Sequence, residues 1–593
     1  MKIIEVENLT KTYQISKIEK EHTALENVSF SVDEGEVLGI LGRSSAGKTT
    51  LLRILRGVES FKEGSVRVDG ITLTPDSNSN EQLELQKITA LHLQRSFALW
   101  PESVINNVMR KLGKLETGFE EIPTTGSNDY KRLFKRASEI LDIVGMLDKK
   151  YYYYNILSGG EKQCVLLARQ LAANPRVLLV DEPATMIDPV GRGMMLDAIK
   201  KINENAGVTV VFVSHMPEIH ETLADRVLWI EEGKVVDEGK PDEIIKKFVA
   251  KIDQPVEPSI PREVPKMRLT NLWKRYQITT SGAKFIETIQ MKNLNFDIYE
   301  GEILALVGPC AAGKTVLIRL LAGLEPPQFG EVTYRINDGG EERWTNICTY
   351  GYDAVKARLN ISTLHQEFAL THYEIVLHLF EQKLGLKDVR FLPEVVERAR
   401  EMGLSDVKLD VLYRLADLPE DEMKDMLREL KLDPGILRKL FPTIPADEAK
   451  KRMKPIFEAL DLPLSLMDHY TYELSAGEQI RVALALHMTE KPEVLLLDEP
   501  FGDLDPISLR KCINAIKTLN KEHNLTIILV SHQLDAVKEL AHRALLIHRG
   551  EILMTGDPET ICNEFVNRKY ADFVSKGGEI EDTGDAYRYF HLS

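Results

Sequence analysis

Two copies of one short motif are the first residues in this sequence that could carry out chemistry. Each copy reads G-x-x-x-x-G-K-T and lies between an apolar run that predicts a strand and a run that predicts a helix. Backbone N–H groups of such a loop surround nucleotide phosphates, the lysine reaches the β- and γ-phosphate oxygens, and the threonine hydroxyl binds Mg²⁺. The motif predicts a nucleotide site in each half, with these candidate residues: Gly42, Gly47, Lys48, Thr49 and Thr50, and then Gly308, Gly313, Lys314 and Thr315.

Paired carboxylates follow a second apolar run in each half. Asp181 and Glu182 stand in VLLVDEP, and Asp498 and Glu499 stand in VLLLDEP. We predict buried parallel strands here, with the aspartate in the Mg²⁺ shell and the glutamate as a general base that activates water. A later apolar strand in each half ends in a histidine that we expect to contact the γ-phosphate, although a lone histidine at a strand end is usually structural. These histidines are His215 and His532.

Between the loop and the carboxylates, each half contains a sequence that predicts the start of a helix able to bind an anion. Ser158 and Gly160 stand in LSGGE, and Ser475 and Gly477 stand in LSAGE. The serine suits an N-cap and the small residues expose the first N–H groups. Because each half already has its own phosphate loop, the economical explanation is that each helix start binds the γ-phosphate held by the other half.

Two further pairs of residues gain meaning only from their repetition. Gln94 and Gln366 end predicted strands, where an amide oxygen can reach Mg²⁺ or its water, but either glutamine alone would mean nothing. Tyr13 and Tyr276 precede their glycine loops by similar distances. An aromatic ring at this point could stack on adenine, and the alternative is an ordinary strand tyrosine.

Composition excludes several classes of protein. The chain has 593 residues, a net charge of −16 and a pI near 5.5, which argues against a basic nucleic-acid-binding surface, so we expect no nucleic-acid partner. No apolar run approaches the roughly 18 residues of a membrane span, and the N-terminus does not resemble a signal peptide. Five scattered cysteines without a C-x-x-C favour reduced thiols and a cytoplasmic location.

The two copies define the domain organisation. Ser158 and Ser475 are 317 positions apart, as are Asp181 and Asp498, whereas the second half has 45 more residues than the first between its glutamine and its signature serine. Four prolines between the halves predict a stiff, extended linker. We predict a first domain over 1–253, a linker over 254–266, a second domain over 267–560 with an enlarged helical region at about 380–466, and a C-terminal extension over 561–593.

This ordered set of motifs resembles ABC-type ATPases, twice over and along nearly the whole chain. The resemblance implies an α/β fold class with two P-loop (RecA-like) nucleotide-binding domains, each with an antiparallel β-subdomain and a helical subdomain. It implies ATP and Mg²⁺ as cofactors, with two ATP molecules held head to tail between the domains. Site one would combine Lys48 with Ser475 and Gly477, and site two would combine Lys314 with Ser158 and Gly160. The implied metal residues are Thr49, Gln94, Asp181, Thr315, Gln366 and Asp498, and the implied interface residues are Asp188 and Asp505.

Among tandem family members without membrane spans, the chain most resembles component A2 of the methyl-coenzyme M reductase activation system. That resemblance implies a methanogenic archaeon, with methyl-coenzyme M reductase and its activation proteins as partners of an ATPase that supports reductive activation. A cysteine-rich iron–sulfur region and a long charged linker, typical of recycling and translation factors, are both missing from this sequence. The alternative is the fused ATPase subunit of an importer, with a membrane permease as partner.

Both copies depart from the family pattern at a few positions, through small changes of side chain. Val316 replaces the hydroxyl residue found at Thr50, and Ala476 replaces the first signature glycine. Ser45 stands where an extra glycine is common in the first loop. Since both glutamates are present, we predict two active but inequivalent sites. Cys310 lies in the second loop, where we interpret it as a small filler residue; the alternative is an oxidation-sensitive thiol whose pKa is lowered by the nearby helix N-terminus.

Overall fold

The chain divides into two units that repeat one topology. The computed structural model describes residues 1–15, 20–93, 99–183, 189–278, 287–309, 312–338, 341–365, 370, 374–386, 392–415, 420–433, 435–441, 443–489, 491–502, 504–548 and 550–575. The first unit consists mainly of Met1–Ile252, and the second mainly of Asp253–Leu504 and Ser508–Glu581. Each unit repeats the same succession of strands and helices, which accounts for the repetition of motifs in the sequence.

The first unit contains ten strands and eight helices among its described residues. The strands are β1 (Lys2–Ile15), β2 (Lys20–Asp33), β3 (Val37–Leu41), β4 (Glu63–Val68), β5 (Ile71–Leu73), β6 (Thr89–His92), β7 (Val177–Asp181), β8 (Thr209–Ser214), β9 (Arg226–Glu231) and β10 (Lys234–Gly239). The helices are α1 (Lys48–Leu55), α2 (Ser79–Ile88), α3 (Val104–Thr117), α4 (Asn128–Ile143), α5 (Gly159–Leu171), α6 (Pro189–Ala206), α7 (Pro217–Leu223) and α8 (Pro241–Val249).

Two sheets form the framework of the first unit. An antiparallel sheet has the strand order β2-β1-β4-β5, and a larger sheet has the order β10-β9-β3-β8-β7-β6. Strands β6, β7, β8, β3 and β9 run parallel to their neighbours, and β10 pairs antiparallel with β9. Strands β3, β7 and β8 are buried along their whole length, as expected for parallel strands covered on both faces. The carboxyl ends of these strands therefore meet at one edge, where ligands of such sheets bind.

The second unit repeats this order with additional helices. Its strands are β11 (Pro265–Ile278), β12 (Glu287–Tyr299), β13 (Ile303–Val307), β14 (Phe329–Asp338), β15 (Glu341–Asn346), β16 (Ile361–Leu364), β17 (Val494–Asp498), β18 (Thr526–Val530), β19 (Arg543–His548) and β20 (Glu551–Gly556). Its helices are α9 (Lys314–Leu321), α10 (Tyr352–Leu359), α11 (Val376–Leu386), α12 (Leu392–Glu401), α13 (Asp406–Leu415), α14 (Glu420–Glu429), α15 (Ile436–Leu440), α16 (Ala446–Ala459), α17 (Ala476–His487), α18 (Pro506–His523), α19 (Leu534–Leu540) and α20 (Pro558–Ser575).

The sheets of the second unit match those of the first. Their orders are β12-β11-β14-β15 and β16-β17-β18-β13-β19-β20. Each unit thus has a parallel P-loop sheet with an antiparallel sheet and a group of helices beside it, which confirms the predicted fold class. Helix α20 crosses the boundary at 560 that the sequence suggested. Among the described helices, none combines the length and apolar character needed to cross a bilayer.

Four of the additional helices in the second unit, α12 to α15, have a hydrophobic core of their own. Its members include Val395 on α12, Leu412 on α13, Leu427 on α14 and Leu440 on α15, each fully buried. We call this group the inserted helices. A buried ion pair between Arg358 of α10 and Asp410 of α13 attaches it to the rest of the unit.

The proline-rich linker is attached to the second unit. Asn514 accepts a hydrogen bond from the Val256 N–H at 3.1 Å, and Asn520 accepts one from the Ser259 N–H at 3.0 Å. His542 Nε2 lies 2.6 Å from the Ser259 carbonyl oxygen, and its Nδ1 accepts from the Ile303 N–H at 2.8 Å, so Nε2 is the donor to the linker. These bonds tie the linker to the start of β13, an attachment that proline content alone does not predict.

Candidate functional site

The phosphate loops have the same local geometry in both units. Gly47 and Gly313 precede helices α1 and α9 in left-handed conformations, with φ of 93° and 96°. Lys48 Nζ donates to the carbonyl oxygens of Gly42 and of Arg43, each at 2.8 Å, and Lys314 Nζ makes the equivalent bonds at 2.9 Å to those of Gly308 and Pro309. Burial lowers the pKa of Lys48 from its usual range, while the neighbouring carboxylates oppose that shift. In this conformation the loop carbonyls take the bonds that phosphate oxygens would receive from the lysine.

The carboxylates of the first unit lie directly beside its loop. Thr49 donates a hydrogen bond to Asp181 Oδ1 at 3.1 Å, which brings the two predicted Mg²⁺ residues together. Glu182 follows β7 in a left-handed conformation (φ 49°), and its backbone N–H donates to the Val213 carbonyl oxygen at 3.0 Å. A non-glycine residue rarely adopts this conformation, so neighbouring interactions must hold it there.

Glu182 is closely associated with the predicted histidine. His215 Nδ1 lies 2.9 Å from Glu182 Oε1, and the His215 backbone N–H donates to Oε2 at 3.4 Å. Burial alone would raise the pKa of Glu182, but the hydrogen bonds and charge of His215 outweigh it and hold that pKa below its ordinary value. Glu182 is therefore an ionised carboxylate near neutral pH, the state that a general base needs.

The second unit has the same residues in a looser arrangement. The His532 backbone N–H donates to Glu499 Oε2 at 3.0 Å, and its ring Nε2 lies 3.2 Å from Oε1 without hydrogen-bond geometry. The His532 side chain is 48% exposed, against 8% for His215. Burial raises the pKa of Glu499, so the two glutamates are shifted in opposite directions.

The residues of the second site fit a bound Mg²⁺. Both carboxylate oxygens of Asp498 are buried; burial raises the pKa of this group, and the nearby Thr315 hydroxyl opposes that shift. Mg²⁺ prefers oxygen ligands such as carboxylates, hydroxyls and phosphate oxygens. The buried Asp498 carboxylate next to the Thr315 side chain offers such oxygens, and a bound cation would compensate the cost of burying them. Asp181 offers the same chemistry in the first unit, where Thr49 satisfies one of its oxygens.

The signature sequences begin helices as predicted. Ser158 caps α5 and Ser475 caps α17, in each case with a reciprocal capping box to the glutamate three residues later. Gly160 lies against α6 so closely that a Cβ atom would approach the Gly191 Cα to 2.4 Å, whereas Gly159 has no atom within 4 Å of its equivalent position. Gly477 similarly faces Ser508. In both helices the serine side chain thus accepts a hydrogen bond from an N–H group of the first turn, and the close packing of the second small residue fixes the position of the helix start.

The aromatic and aspartate predictions have mixed outcomes. Tyr13 Oη lies 3.5 Å from Thr50 Oγ1, which places the ring beside the first phosphate loop, and stacking on adenine stays a prediction. Tyr276 lies on β11, but its side chain is outside the described residues. Asp505 is buried immediately before α18, and its interface role stays a prediction. The remaining predicted residues fall outside the described part of the chain: Gln94, Gln366, Asp188 and Cys310.

The departures from the family pattern are accommodated without disruption. Val316 packs against the apolar core beneath the second loop, and Ala476 packs against the core next to α17. Ser45 adopts a left-handed conformation with φ of 65°, where glycine would be relaxed. The two sites therefore differ in detail while keeping the same framework.

Sequence inspection missed residues that contact the functional groups through the fold. His220 on α7 is completely buried and lies against Ser214, the neighbour of His215. His365 lies close enough to Asp498 to oppose the rise in its pKa. His365 directly precedes Gln366, which was a usable signal, whereas nothing in the sequence around His220 resembles a motif.

Comparisons with known proteins identify the family. The family model described as "ABC transporter" matches residues 25–185 and 291–502. The chain is 41% identical to an ABC transporter ATP-binding protein (MJ1662) of Methanocaldococcus jannaschii, over 97% of this chain and 98% of that protein. It is 38% identical to the methionine import ATP-binding protein MetN of Carboxydothermus hydrogenoformans, over 40% of this chain and 66% of that protein.

One solved structure resembles a single unit of the chain. It is the dimeric, ADP- and phosphate-bound ATP-binding cassette MJ0796, with 31% identity, covering 40% of this chain and 98% of that one, at a TM-score of 0.34. The family assignment itself comes from the two matched ranges and from the relative that is similar along almost the entire length. The chain belongs to the ABC family, as a tandem ATP-binding cassette protein that binds ATP with Mg²⁺ and hydrolyses it.

Proposed function

We propose that both units hydrolyse ATP with the same division of roles. Lys48 and Lys314 hold the β- and γ-phosphates, and Glu182 and Glu499 act as general bases. The observation that carries this assignment is the contact of 2.9 Å between His215 Nδ1 and Glu182 Oε1, beside the Thr49–Asp181 pair. It combines an ionised, largely buried base directly after β7, a histidine directly after β8 that orients it, and a metal-binding pair contributed by α1 and β7.

The chemistry of each site is the attack of water on the γ-phosphorus. The glutamate accepts a proton from water as the new O–P bond forms and the bond from the γ-phosphorus to the bridging oxygen breaks, which yields ADP and phosphate. Thr49 with Asp181, and Thr315 with Asp498, would hold Mg²⁺, which would supply positive charge that stabilises the transferring phosphoryl group. His215 holds Glu182 in position, since its ring and its backbone each contact the carboxylate.

The proposal includes the pairing implied by the family resemblance, in which the signature helix of each half completes the nucleotide site of the other. Support within each unit comes from the capped and closely packed helix starts at Ser158 and Ser475. A direct test replaces Ser475 by Arg and follows cleavage at the site that contains Lys48. The pairing predicts that this site fails while nucleotide binding at Lys48 persists, whereas unimpaired cleavage there would contradict it.

We propose further that hydrolysis drives a change in a partner enzyme, namely ATP-dependent reductive activation of methyl-coenzyme M reductase in the cytoplasm of a methanogenic archaeon. The support is the sequence resemblance described above and the inserted helices, which have their own core and extend the second unit. Exposed apolar side chains on these helices, or directly after one of them, give a partner a place to bind: Val407 on α13, Met426 on α14 and Leu430 directly after α14.

The experiment is purification of the tagged chain under anaerobic conditions, followed by an activation assay. Recovery of the nickel enzyme with redox proteins supports the proposal, and recovery of permease subunits instead supports the importer alternative. Replacing Val407, Met426 and Leu430 together by lysine should spare basal ATP hydrolysis and abolish activation of the partner. A triple variant that activates its partner at the normal rate would exclude the inserted helices as the docking surface.

A further inference from the structure

The first unit contains a buried histidine that the second unit lacks. His220 lies on α7, five residues after His215, and none of its surface is exposed. Its Nε2 lies 3.0 Å from the carbonyl oxygen of Ser214, the residue directly before His215. Burial lowers the pKa of His220 to about 4, so the ring is neutral and Nε2–H donates to this carbonyl.

The ring fits only because one residue of the sheet has no side chain. A Cβ atom at Gly39 would lie 2.3 Å from His220 Nδ1, well inside van der Waals contact. On its other side, the His220 ring stacks on Phe212 with 4.9 Å between ring centroids. Gly39 and Phe212 are directly paired between β3 and β8, so the two residues form one socket for the histidine.

The second unit fills the equivalent space with apolar groups. Ala305 pairs with Leu529 in the same register between β13 and β18, and the position five residues after His532 is Val537, which is fully buried. The methyl group of Ala305 would collide with an imidazole placed as in the first unit. The space behind the loop is therefore filled by a glycine and a histidine in the first unit and by an alanine and a valine in the second.

The two loops share one hydrogen bond and differ in another, since Gln533 Nε2 donates to the Gly502 carbonyl oxygen at 2.9 Å, whereas the equivalent residue of the first loop is Met216, whose side chain has no N–H. Ser214 Oγ accepts a hydrogen bond from the Met216 N–H at 3.1 Å, and Ser531 Oγ accepts one from the Gln533 N–H at 3.1 Å. Valine has no donor to offer the carbonyl oxygen of Ser531. The first unit thus has both the hydrogen bond from His220 and a buried His215 that contacts its glutamate. The second unit has a valine in place of His220 and a half-exposed His532.

We propose that His220 is a positioning residue, which fixes the Ser214 carbonyl so that His215 holds Glu182 in a preset catalytic geometry in the first unit alone. The inference rests on the proposed role of Glu182 as general base. It predicts that the first site is organised before nucleotide binds, whereas the second site must be organised by its nucleotide. The difference in how the two histidines are held then originates in packing behind the loop rather than in the histidines and glutamates themselves.

The test uses variants that exchange the two packing solutions. Gly39→Ala combined with His220→Val copies the second unit, and His220→Gln keeps an N–H donor in the socket. Three quantities are measured in a Glu499→Gln background: the single-turnover rate of ATP cleavage, the affinity for fluorescent ATP, and the rate at which diethyl pyrocarbonate modifies His215. Thermal unfolding checks that every variant folds.

The double exchange should slow cleavage about tenfold, a part of the roughly 10²–10⁴-fold contribution of a general base. ATP affinity should change less than about twofold, because no phosphate-binding group is altered. Modification of His215 should accelerate about tenfold, and His220→Gln should restore both rates to within about threefold of the parent.

Two results would overturn the proposal. One is a double exchange with the parental cleavage rate and a His215 that is still protected from the reagent. The other is a loss that His220→Gln does not restore, which would show that the ring only fills space. A Glu182→Gln control separates the two hypotheses, since continued cleavage in that variant would refute the general base, while modification of His215 still reports on its positioning.

Discussion

Replacing His215 or His532 by alanine should have unequal effects on the two sites. The buried ring of His215 contacts Glu182 at 2.9 Å, whereas the ring of His532 is half exposed and lies 3.2 Å from Glu499 without hydrogen-bond geometry. A hydrogen bond to a charged group contributes about 1.5–3 kcal/mol, and about 1.4 kcal/mol corresponds to one pKa unit. His215→Ala should therefore raise the pKa of Glu182, because the ring contact that stabilises the ionised carboxylate is lost.

The exposed contact in the second unit is worth less. A solvent-screened pair contributes about 0–1 kcal/mol, so His532→Ala should change the pKa of Glu499 only slightly. Each glutamate must be ionised to accept a proton, so a higher pKa moves the acid limb of the pH–rate profile to higher pH. The acid limb should shift upward markedly for His215→Ala and only slightly for His532→Ala.

The assay is phosphate release at saturating ATP and Mg²⁺ across the pH range, with the glutamate of the other site changed to glutamine. His215→Ala is measured in the Glu499→Gln background, and His532→Ala in the Glu182→Gln background. Positions of the acid limbs are compared rather than absolute rates, since both substitutions also remove a ring near the phosphate. Equal shifts, or a downward shift for His215→Ala, would refute the reasoning from burial and hydrogen bonding.

Two further predictions compare matched positions. Gly160→Ala should destabilise the first unit by about 1–3 kcal/mol through overpacking against α6, as measured by denaturant unfolding. Gly159→Ala should be within about 0.5 kcal/mol of the parent because its surroundings are open. Similar losses of stability in the two variants would contradict the close packing of Gly160. Lys48→Ala and Lys314→Ala should lower turnover by different factors, because the second site has Val316 in place of a hydroxyl residue and the pKa of its glutamate is raised rather than lowered. Equal losses at saturating ATP would show that these differences do not affect turnover.

The motif residues and the sheet framework could be predicted from the sequence because their signals are local. Glycine loops, apolar runs of strand length and a serine before small residues each specify a short segment, and the segments repeat in the same order. In the structure Thr49 contacts Asp181 and His215 contacts Glu182, although the residues of neither pair are close in sequence. The order of the motifs sufficed here because parallel strands bring their carboxyl ends to one edge.

What could not be predicted depends on side chains that meet through the fold. Gly39 and His220 are 181 positions apart, and their contact requires the register of β3 and β8 to be known. The attachment of the linker through Asn520 and His542 likewise depends on where α18 and β19 lie in the second unit. The opposite pKa shifts of Glu182 and Glu499 follow from exposure of a histidine, which identical motifs cannot reveal.

If both units are working ATPase sites with glutamate bases, removal of both bases should trap ATP at two sites. The Glu182→Gln/Glu499→Gln variant is mixed with ATP and Mg²⁺, and bound nucleotide per chain is counted after rapid gel filtration. The account predicts two ATP molecules per chain, retained uncleaved, with turnover lowered by about 10²–10⁴-fold. A single bound nucleotide, or bound ADP produced at the normal rate, would contradict it.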